Sequence, residues 1–116
     1  MSVVDSSVVA LLKQMIAWLV SGDFVAIEVR SGGVRLSANL MRQVIEEYGR
    51  TLIMPPDDAF TNVDAIRVTN ADRPTWSVRF DLWTQEEGRS DLSVECTVTD
   101  RGNGELDLEV DDIHVL

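Results

Sequence analysis

His114 is the only histidine of the chain, and it stands two residues after Asp112. An imidazole is the usual proton-transfer group near neutral pH, and residues two apart in a strand project from the same face. Catalysis by His114 would also need a nucleophile or a second basic group at matching spacing, and the sequence offers neither. We therefore expect a structural histidine held by Asp112, no catalytic residue and no enzymatic activity.

The last predicted strand is rich in carboxylates, the groups that hold hard metal ions. Four of them follow one another closely: Asp107, Glu109, Asp111 and Asp112. Carboxylates on one strand face stand too far apart to share an ion unless a neighbouring strand contributes, as Glu95 or Asp81 would. The chain has no D-x-D-x-D-G loop and no cluster of histidines or cysteines. We therefore expect a solvated acidic face that binds no metal and no cofactor.

Trp83 is the residue most typical of a binding surface. The alternation of the sequence places it on the polar face of a predicted sheet, and an aromatic anchor among polar groups is typical of a protein-binding hot spot. The alternative is that its indole packs beneath the following loop or a terminal segment. The predicted partner-binding site comprises Arg79, Asp81, Trp83, Glu95, Asp107 and Glu109.

The charge balance restricts the class of partner. Acidic residues outnumber basic ones by 20 to 10, which gives a net charge of -10. Such a surface repels phosphate groups, so we expect no nucleic-acid partner and no membrane partner. It attracts basic proteins, because complementary charge accelerates association. The alternative is that the excess acid only keeps a small protein soluble.

Cys96 is the only cysteine, so no intrachain disulfide can form, which fits a reducing cytoplasm. It alternates with polar residues in the same way as Val94 and Val98, which places it on the apolar face, so its thiol should be buried and inert. Residues 1–9 carry Asp5 and no basic residue, unlike a signal peptide. No apolar run reaches the roughly 18 to 20 residues of a membrane span. We therefore expect a cytoplasmic protein.

Residues 75–116 supply the sheet that must position these groups. Every second residue in three successive segments is apolar: Trp76, Val78, Phe80 and Leu82, then Leu92, Val94, Cys96 and Val98, then Leu106, Leu108 and Val110. The residues between them are polar and mostly acidic, so the sheet should have one apolar and one acidic face. Turn-rich loops join the segments, which favours an antiparallel meander. The alternation changes phase near Asp111 and Asp112, where we predict a β-bulge.

Two helices should precede the sheet. One covers residues 6–20 after the cap candidates Asp5, Ser6 and Ser7, and the other follows Ser37 and ends at Gly49. Residues 23–36 fit either a hairpin, with strands at 25–29 and 34–36, or a short helix capped at its start by an aspartate. Short strands are predicted at residues 51–54 and 63–69. We predict one α+β domain over residues 1–116, with two N-terminal helices packed on one face of a curved antiparallel meander sheet of four to five strands.

The element order resembles cystatin-like and NTF2-like cone folds, in which a curved meander wraps a helix. Several stretches are also similar to a family of small bacterial proteins of unknown function. They are the run Asp81-Leu82-Trp83-Thr84-Gln85-Glu86-Glu87-Gly88-Arg89-Ser90-Asp91-Leu92, the ending Asp111-Asp112-Ile113-His114-Val115-Leu116, Tyr48-Gly49-Arg50 and Pro55-Pro56. The resemblance implies a bacterial setting and supplies no catalytic residues. Within the first run, Glu87, Gly88 and Arg89 are interpreted as a specific turn with an ion pair.

Three hypotheses for function follow from these features. The first is a protein-binding module, most concretely a bacterial immunity protein that neutralises a basic toxin, such as a nuclease, by covering it with the acidic sheet face. The second is a cone-shaped ligand-binding or enzymatic domain whose interior pocket contains Asp112 and His114. The third is a homodimer of sheets with an accessory role.

Overall fold

α1 spans Ser6–Ser21 and buries a wide apolar stripe. The structure is a computed structural model that describes residues 6–33 and 35–115, so the predicted cap residue Asp5 lies outside the described part. Five residues of the stripe are buried: Val8, Leu12, Met15, Ile16 and Leu19. Their spacing of three and four positions is the helical repeat, so this element confirms its prediction.

Residues 24–31 form a short helix rather than the first strand of a hairpin. α2 spans Phe24–Ser31, and the side chain of Asp23 caps it by accepting a hydrogen bond from a backbone N–H three residues later. A strand would place Ile27 and Val29 on one face, whereas here Ile27 is buried and Val29 is 78% exposed. Of the two alternatives, the helix is therefore the one that forms. Val34, in the predicted return strand, lies outside the described residues.

α3 spans Ala38–Tyr48 and has the predicted caps at both ends. The Ser37 hydroxyl accepts a hydrogen bond from the Leu40 backbone N–H at 3.2 Å. At the other end, the N–H of Gly49 donates to the carbonyl of Ile45, also at 3.2 Å. These bonds satisfy backbone groups that a helix terminus otherwise leaves to water. In its described part the domain therefore has three helices before its sheet, where the sequence predicted two and left the third as an alternative.

The sheet has five antiparallel strands: β1 Leu52–Ile53, β2 Asp64–Arg67, β3 Thr75–Thr84, β4 Gly88–Asp100 and β5 Leu106–Val115. Their order is β1-β3-β4-β5, and β2 also pairs with β3. The last three strands form the predicted meander, and the sheet does not close into a barrel. A 3-10 helix over Asp57–Phe60 separates the two short strands.

The two faces of the meander differ as the alternation predicts. The apolar positions are buried except at two strand ends, where Trp76 and Leu106 are half-buried. Together with the stripe of α1 and residues of α2 and α3, the buried ones form one hydrophobic cluster. The helices therefore cover the apolar face, and the acidic face is left to solvent. The buried positions are Val78, Phe80, Leu82, Leu92, Val94, Cys96, Val98, Leu108 and Val110.

The predicted β-bulge in β5 is present at Asp111. Glu95 pairs with Asp112, but the next residue of β4 pairs with Val110, so Asp111 is the extra residue of β5. Its carboxylate accepts a hydrogen bond from the Thr97 hydroxyl at 2.7 Å. Val110 points into the core. Residues two apart in a regular strand lie on the same face, so without the extra residue Asp112 would point into the core as well. The bulge turns Asp112 outward.

This outward placement corrects the second hypothesis from the sequence. Asp112 is exposed and His114 is half-buried on the outer face, so neither belongs to an interior pocket. They lie there because the bulge reverses the phase of β5. On the other side of the sheet, fully buried side chains such as Met15, Ile16 and Val94 belong to the hydrophobic cluster.

Candidate functional site

A cleft of about 320 Å³ lies along the edge of β3 where its two short partner strands leave a gap. β1 pairs with Trp83 and Thr84, and β2 pairs with residues 76–79. Residues 80–82 lie between these two registers and have neither short strand opposite them. The connection from β1 to β2 crosses this gap and forms the outer wall of the cleft.

A pair of stacked phenylalanines fixes that wall. Phe60, at the end of the 3-10 helix, stacks on Phe80 of β3 with a centroid distance of 4.9 Å and an interplanar angle of 20°. Both rings are 6% exposed, and the ammonium of Lys13 lies 5.1 Å from the Phe60 centroid. Offset aromatic stacking and a cation over a ring each add to burial. The connection is therefore anchored to the sheet within the gap that it crosses.

The lining of the cleft combines one large aromatic residue with charges of both signs. Ser93 orients Asp81 by donating a hydrogen bond at 2.7 Å, and Arg89 lies 3.9 Å from the same carboxylate. Across the cleft, Arg79 lies 3.4 Å from Asp64. These ion pairs are largely exposed and so contribute little to stability. The lining residues are Asp58, Ala59, Asn62, Val63, Asp64, Arg79, Phe80, Asp81, Trp83 and Arg89.

Three of the six predicted site residues meet in this cleft: Arg79, Asp81 and Trp83. Glu95 lies directly opposite Arg79 on β4, next to the cleft. Asp107 and Glu109 lie on the outer face of β5, which pairs with the far side of β4, and the structure does not bring them to the cleft. The cavity around the predicted aromatic anchor therefore borders the β3 side of the outer face, whereas Asp107 and Glu109 line a separate cavity beside α2.

The two distant carboxylates have their own basic partners. Asp107 lies 2.8 Å from a guanidinium nitrogen of Arg101, and hydrogen bonding to Arg101 lowers the pKa of Asp107 below its ordinary range. Glu109 lies 3.4 Å from Arg35. Arg35 belongs to the connection between α2 and α3, which therefore reaches the outer face at the edge of β5. The negative charge of both carboxylates is partly compensated within the protein.

The aspartates on the outer wall were not found from the sequence. Asp58, Asn62 and Asp64 belong to a segment that reads as a loop followed by a weak strand, without an alternation that assigns them to a face. Their position beside Trp83 follows from β1 and β2 sharing one edge of β3, which is a pairing between distant parts of the chain. Only the consecutive prolines, which end β1, signal that the chain leaves the sheet here.

A network of hydrogen bonds holds the turn from β3 to β4 beside the indole of Trp83. Glu87 accepts from the hydroxyls of Tyr48 at 2.9 Å and of Thr84 and Ser90 at 3.0 Å. The hydrogen bond from Tyr48, and then those from Ser90 and Thr84, hold the pKa of Glu87 below its ordinary range. The adjacent Glu86 accepts from the backbone N–H of a residue just before β1, which likewise lowers its pKa. The turn is thereby joined to α3 and to β1.

One group of potential metal ligands lies on the outer face where β4 pairs with β5, and it includes Glu95 beside the cleft. Glu95, Asp112 and His114 offer two carboxylate oxygens and an imidazole nitrogen that lie within 4.8 Å of one another on the outer face. The Nδ1 atom of His114 is 2.9 Å from Asp112, as expected from the spacing of the two residues. Glu95 belongs to the neighbouring strand β4, so the structure provides the carboxylate from a second strand that a metal site on β5 would require.

The family described as "Domain of unknown function (DUF7668)" matches residues 16–116. The chain belongs to this family. The match covers the cleft, the acidic face and the end of α1, so these features lie within the DUF7668 domain. No curated protein and no solved structure matches the chain, and the likeness to cystatin-like and NTF2-like domains stays a prediction from element order. Among the described residues, no helix is long and apolar enough to cross a membrane.

Proposed function

We propose that this DUF7668 protein is a binding module for a basic protein partner and that the partner docks on the cleft beside Trp83. The observation that carries the proposal is the position of this half-buried indole in a cavity bordered by three aspartates: Asp58, Asp64 and Asp81. Large aromatic residues in partly enclosed pockets dominate the energy of many interfaces. Carboxylates around them select a cationic side chain.

A lysine or arginine of the partner fits this site in a specific way. Its stem packs on the Trp83 ring, and its charged end reaches Asp81 or Asp64 across the cleft. In the free protein these carboxylates lie near Arg89 and Arg79, at 3.9 and 3.4 Å. Both pairs are solvent-exposed and weak, so an incoming cation displaces them at small cost. The net charge of -10 adds long-range attraction to the encounter.

The most concrete form of this proposal is a bacterial immunity protein that acts in the cytoplasm on a basic toxin. Its mechanism is occlusion: the acidic face covers the basic surface that the toxin needs for its own substrate. Glu95 extends the site from the cleft, and Asp107 and Glu109 contribute at its far edge once their arginine partners are displaced. No proton transfer or bond cleavage by this chain is required.

Co-expression with the product of the gene next to its own in the native genome tests this form of the proposal. We expect the wild-type chain to restore growth to cells that express that product, and the Trp83→Ala and Asp81→Lys variants to restore it poorly. Asp91→Lys is the matched control, because Asp91 is an exposed acid of β4 that does not line the cleft.

Binding measured with the two purified proteins separates the site from the toxin assignment. A protein partner whose affinity falls with salt and with Asp81→Lys, but not with Asp91→Lys, supports the cleft whatever that partner's activity. An affinity that Trp83→Ala and Asp81→Lys leave unchanged would overturn the site. Sedimentation of the isolated chain addresses the homodimer, whose formation through this face would close the cleft to any partner.

A further inference from the structure

Three ligand-type atoms converge on the outer face of the sheet at the β5 bulge. The Nδ1 atom of His114 lies 2.9 Å from Asp112 Oδ2 and 3.8 Å from Glu95 Oε2. The bulge at Asp111 is the cause, because it turns Asp112 outward and sets it opposite Glu95, with His114 on the same side two residues later. One local irregularity therefore assembles the whole cluster.

The imidazole nitrogen in this cluster has close carboxylate neighbours but makes no hydrogen bond. Nδ1 of His114 is closed to solvent and makes no hydrogen bond, although an oxygen of Asp112 lies only 2.9 Å away. The other oxygen of Asp112 accepts a hydrogen bond from the backbone N–H of Ile113 at 2.9 Å, which fixes the carboxylate with Oδ2 toward the imidazole. Buried nitrogen atoms that lie against carboxylate oxygens without a hydrogen bond are uncommon in proteins, and an ion between these groups would satisfy them.

The distances suit a small tetrahedral ion. With metal–ligand bonds of about 2.0 to 2.1 Å, the ligand atoms of a tetrahedral zinc site stand about 3.3 Å apart. The separations here begin at 2.9 Å and do not exceed 4.8 Å, so they bracket that value. Small side-chain rotations are sufficient to bring the three atoms onto one ion, since all three side chains are partly exposed and their backbones are fixed by the sheet.

The charge of the cluster also matches a divalent cation. Two carboxylates balance the two positive charges of such an ion. Arg79 faces Glu95 across the strands, but it lies 3.4 Å from Asp64 instead, and an oxygen of Glu95 lies 3.8 Å from Nδ1 of His114. The imidazole favours zinc and similar transition metals over magnesium or calcium, which prefer oxygen ligands alone.

We propose that Glu95, Asp112 and His114 bind one divalent transition-metal ion, with Zn²⁺ the best match. Three protein ligands leave a fourth position open to water or to a donor from another molecule. The site shares Glu95 with the extension of the cleft proposed above, but metal binding there requires no protein partner.

Calorimetric titration of the untagged protein with Zn²⁺, in the presence of excess Mg²⁺, tests the site directly. We expect one ion per chain. His114 is the only histidine, so its imidazole NMR signals can be assigned directly. They should shift on addition of Zn²⁺ and stop shifting at the same ratio of ion to chain. Glu95→Gln and His114→Gln should each weaken binding by at least the roughly tenfold loss that follows removal of even an outer partner of a metal site.

Asp91→Asn is the matched control for charge, since Asp91 is an exposed acid of β4 about 13 Å along the strand from Glu95. It should bind Zn²⁺ as the wild type does. Circular dichroism establishes whether each variant folds. If His114→Gln does not fold, the test rests on Glu95→Gln. Absence of saturable Zn²⁺ binding would overturn the proposal. So would equal affinity in the wild type and in a folded Glu95→Gln variant, because that result indicates adsorption to a generally acidic surface.

Discussion

The phenolic oxygen of Tyr48, at the end of α3, lies 2.9 Å from both carboxylate oxygens of Glu87 in the turn between β3 and β4. The two residues are 39 positions apart, so this contact joins the helical layer to the sheet. The same phenolic oxygen lies 2.7 Å from the Ser90 hydroxyl. The turn between β3 and β4 is therefore built around one ionised carboxylate.

Acidification should weaken this turn. The pKa of Glu87 is lowered by its hydrogen bonds, first from Tyr48, and that of Glu86 by the Thr51 backbone N–H. A carboxylate with a lowered folded-state pKa stabilises the protein fully above its unfolded pKa of about 4.3, and this stabilisation is lost as pH falls through the folded value. We expect the thermal midpoint of the wild type to fall below about pH 4.3 more steeply than that of Glu87→Gln. Parallel curves would contradict this role for Glu87.

Replacement of Gly88 should destabilise the protein because of its backbone conformation and not because of steric contacts. Its φ is +74°, and a Cβ at this position would meet nothing closer than the Trp83 ring at 3.9 Å. Gly88→Ala should therefore cost about 1 to 2 kcal/mol of unfolding free energy, measured by urea denaturation. Gly88→Asn is the control, since asparagine adopts the left-handed region more readily and should cost less. If alanine and asparagine cost the same, backbone strain is not the cause.

The sequence was sufficient to predict the meander because each of its strands has one buried face. Alternation within its strands assigns most side chains to a face without knowledge of the partner strand, and the break in that alternation near Asp111 and Asp112 located the bulge. It did not reveal the shift in the β3–β4 register between Asp81 and Trp83. Residues 24–31 were ambiguous for a physical reason. A short segment with apolar residues at alternate positions is compatible with both a strand and a helix, and tertiary packing selects between them. Here Ile27 is buried while Val29 is exposed, as in a helix.

The cleft depends on information that local patterns do not contain. Trp83 was identified because its own parity placed it among charged residues. The aspartates opposite it, Asp58 and Asp64, reach the cleft only because β1 and β2 both pair with β3 and leave a gap between them. Pairing of short strands is set by long-range contacts, not by propensity. The convergence of Glu95 with His114 likewise needed the β4–β5 register.

The single thiol should be unreactive in the folded protein. Cys96 is 1% exposed, and burial, followed by the nearby charge of Asp111, raises its pKa to about 12. The thiolate is the reactive form, so an aromatic disulfide reagent at neutral pH should modify the native protein far more slowly than the same protein in denaturant. The denatured chain is the control for total thiol. A native rate equal to that in denaturant would show that Cys96 is accessible.

Phe60 should contribute to stability through its stack on Phe80 and thereby hold the outer wall of the cleft. The ring is 6% exposed and lies between Phe80 and the ammonium of Lys13. Phe60→Ala should lower the unfolding free energy by about 3 to 5 kcal/mol, because it removes a buried ring and leaves a cavity. Phe60→Leu loses the aromatic stack but keeps most of the apolar volume, so it should cost clearly less than Phe60→Ala. Urea denaturation of the three proteins measures both values, and equal losses for alanine and leucine would mean that the ring does not fill this space.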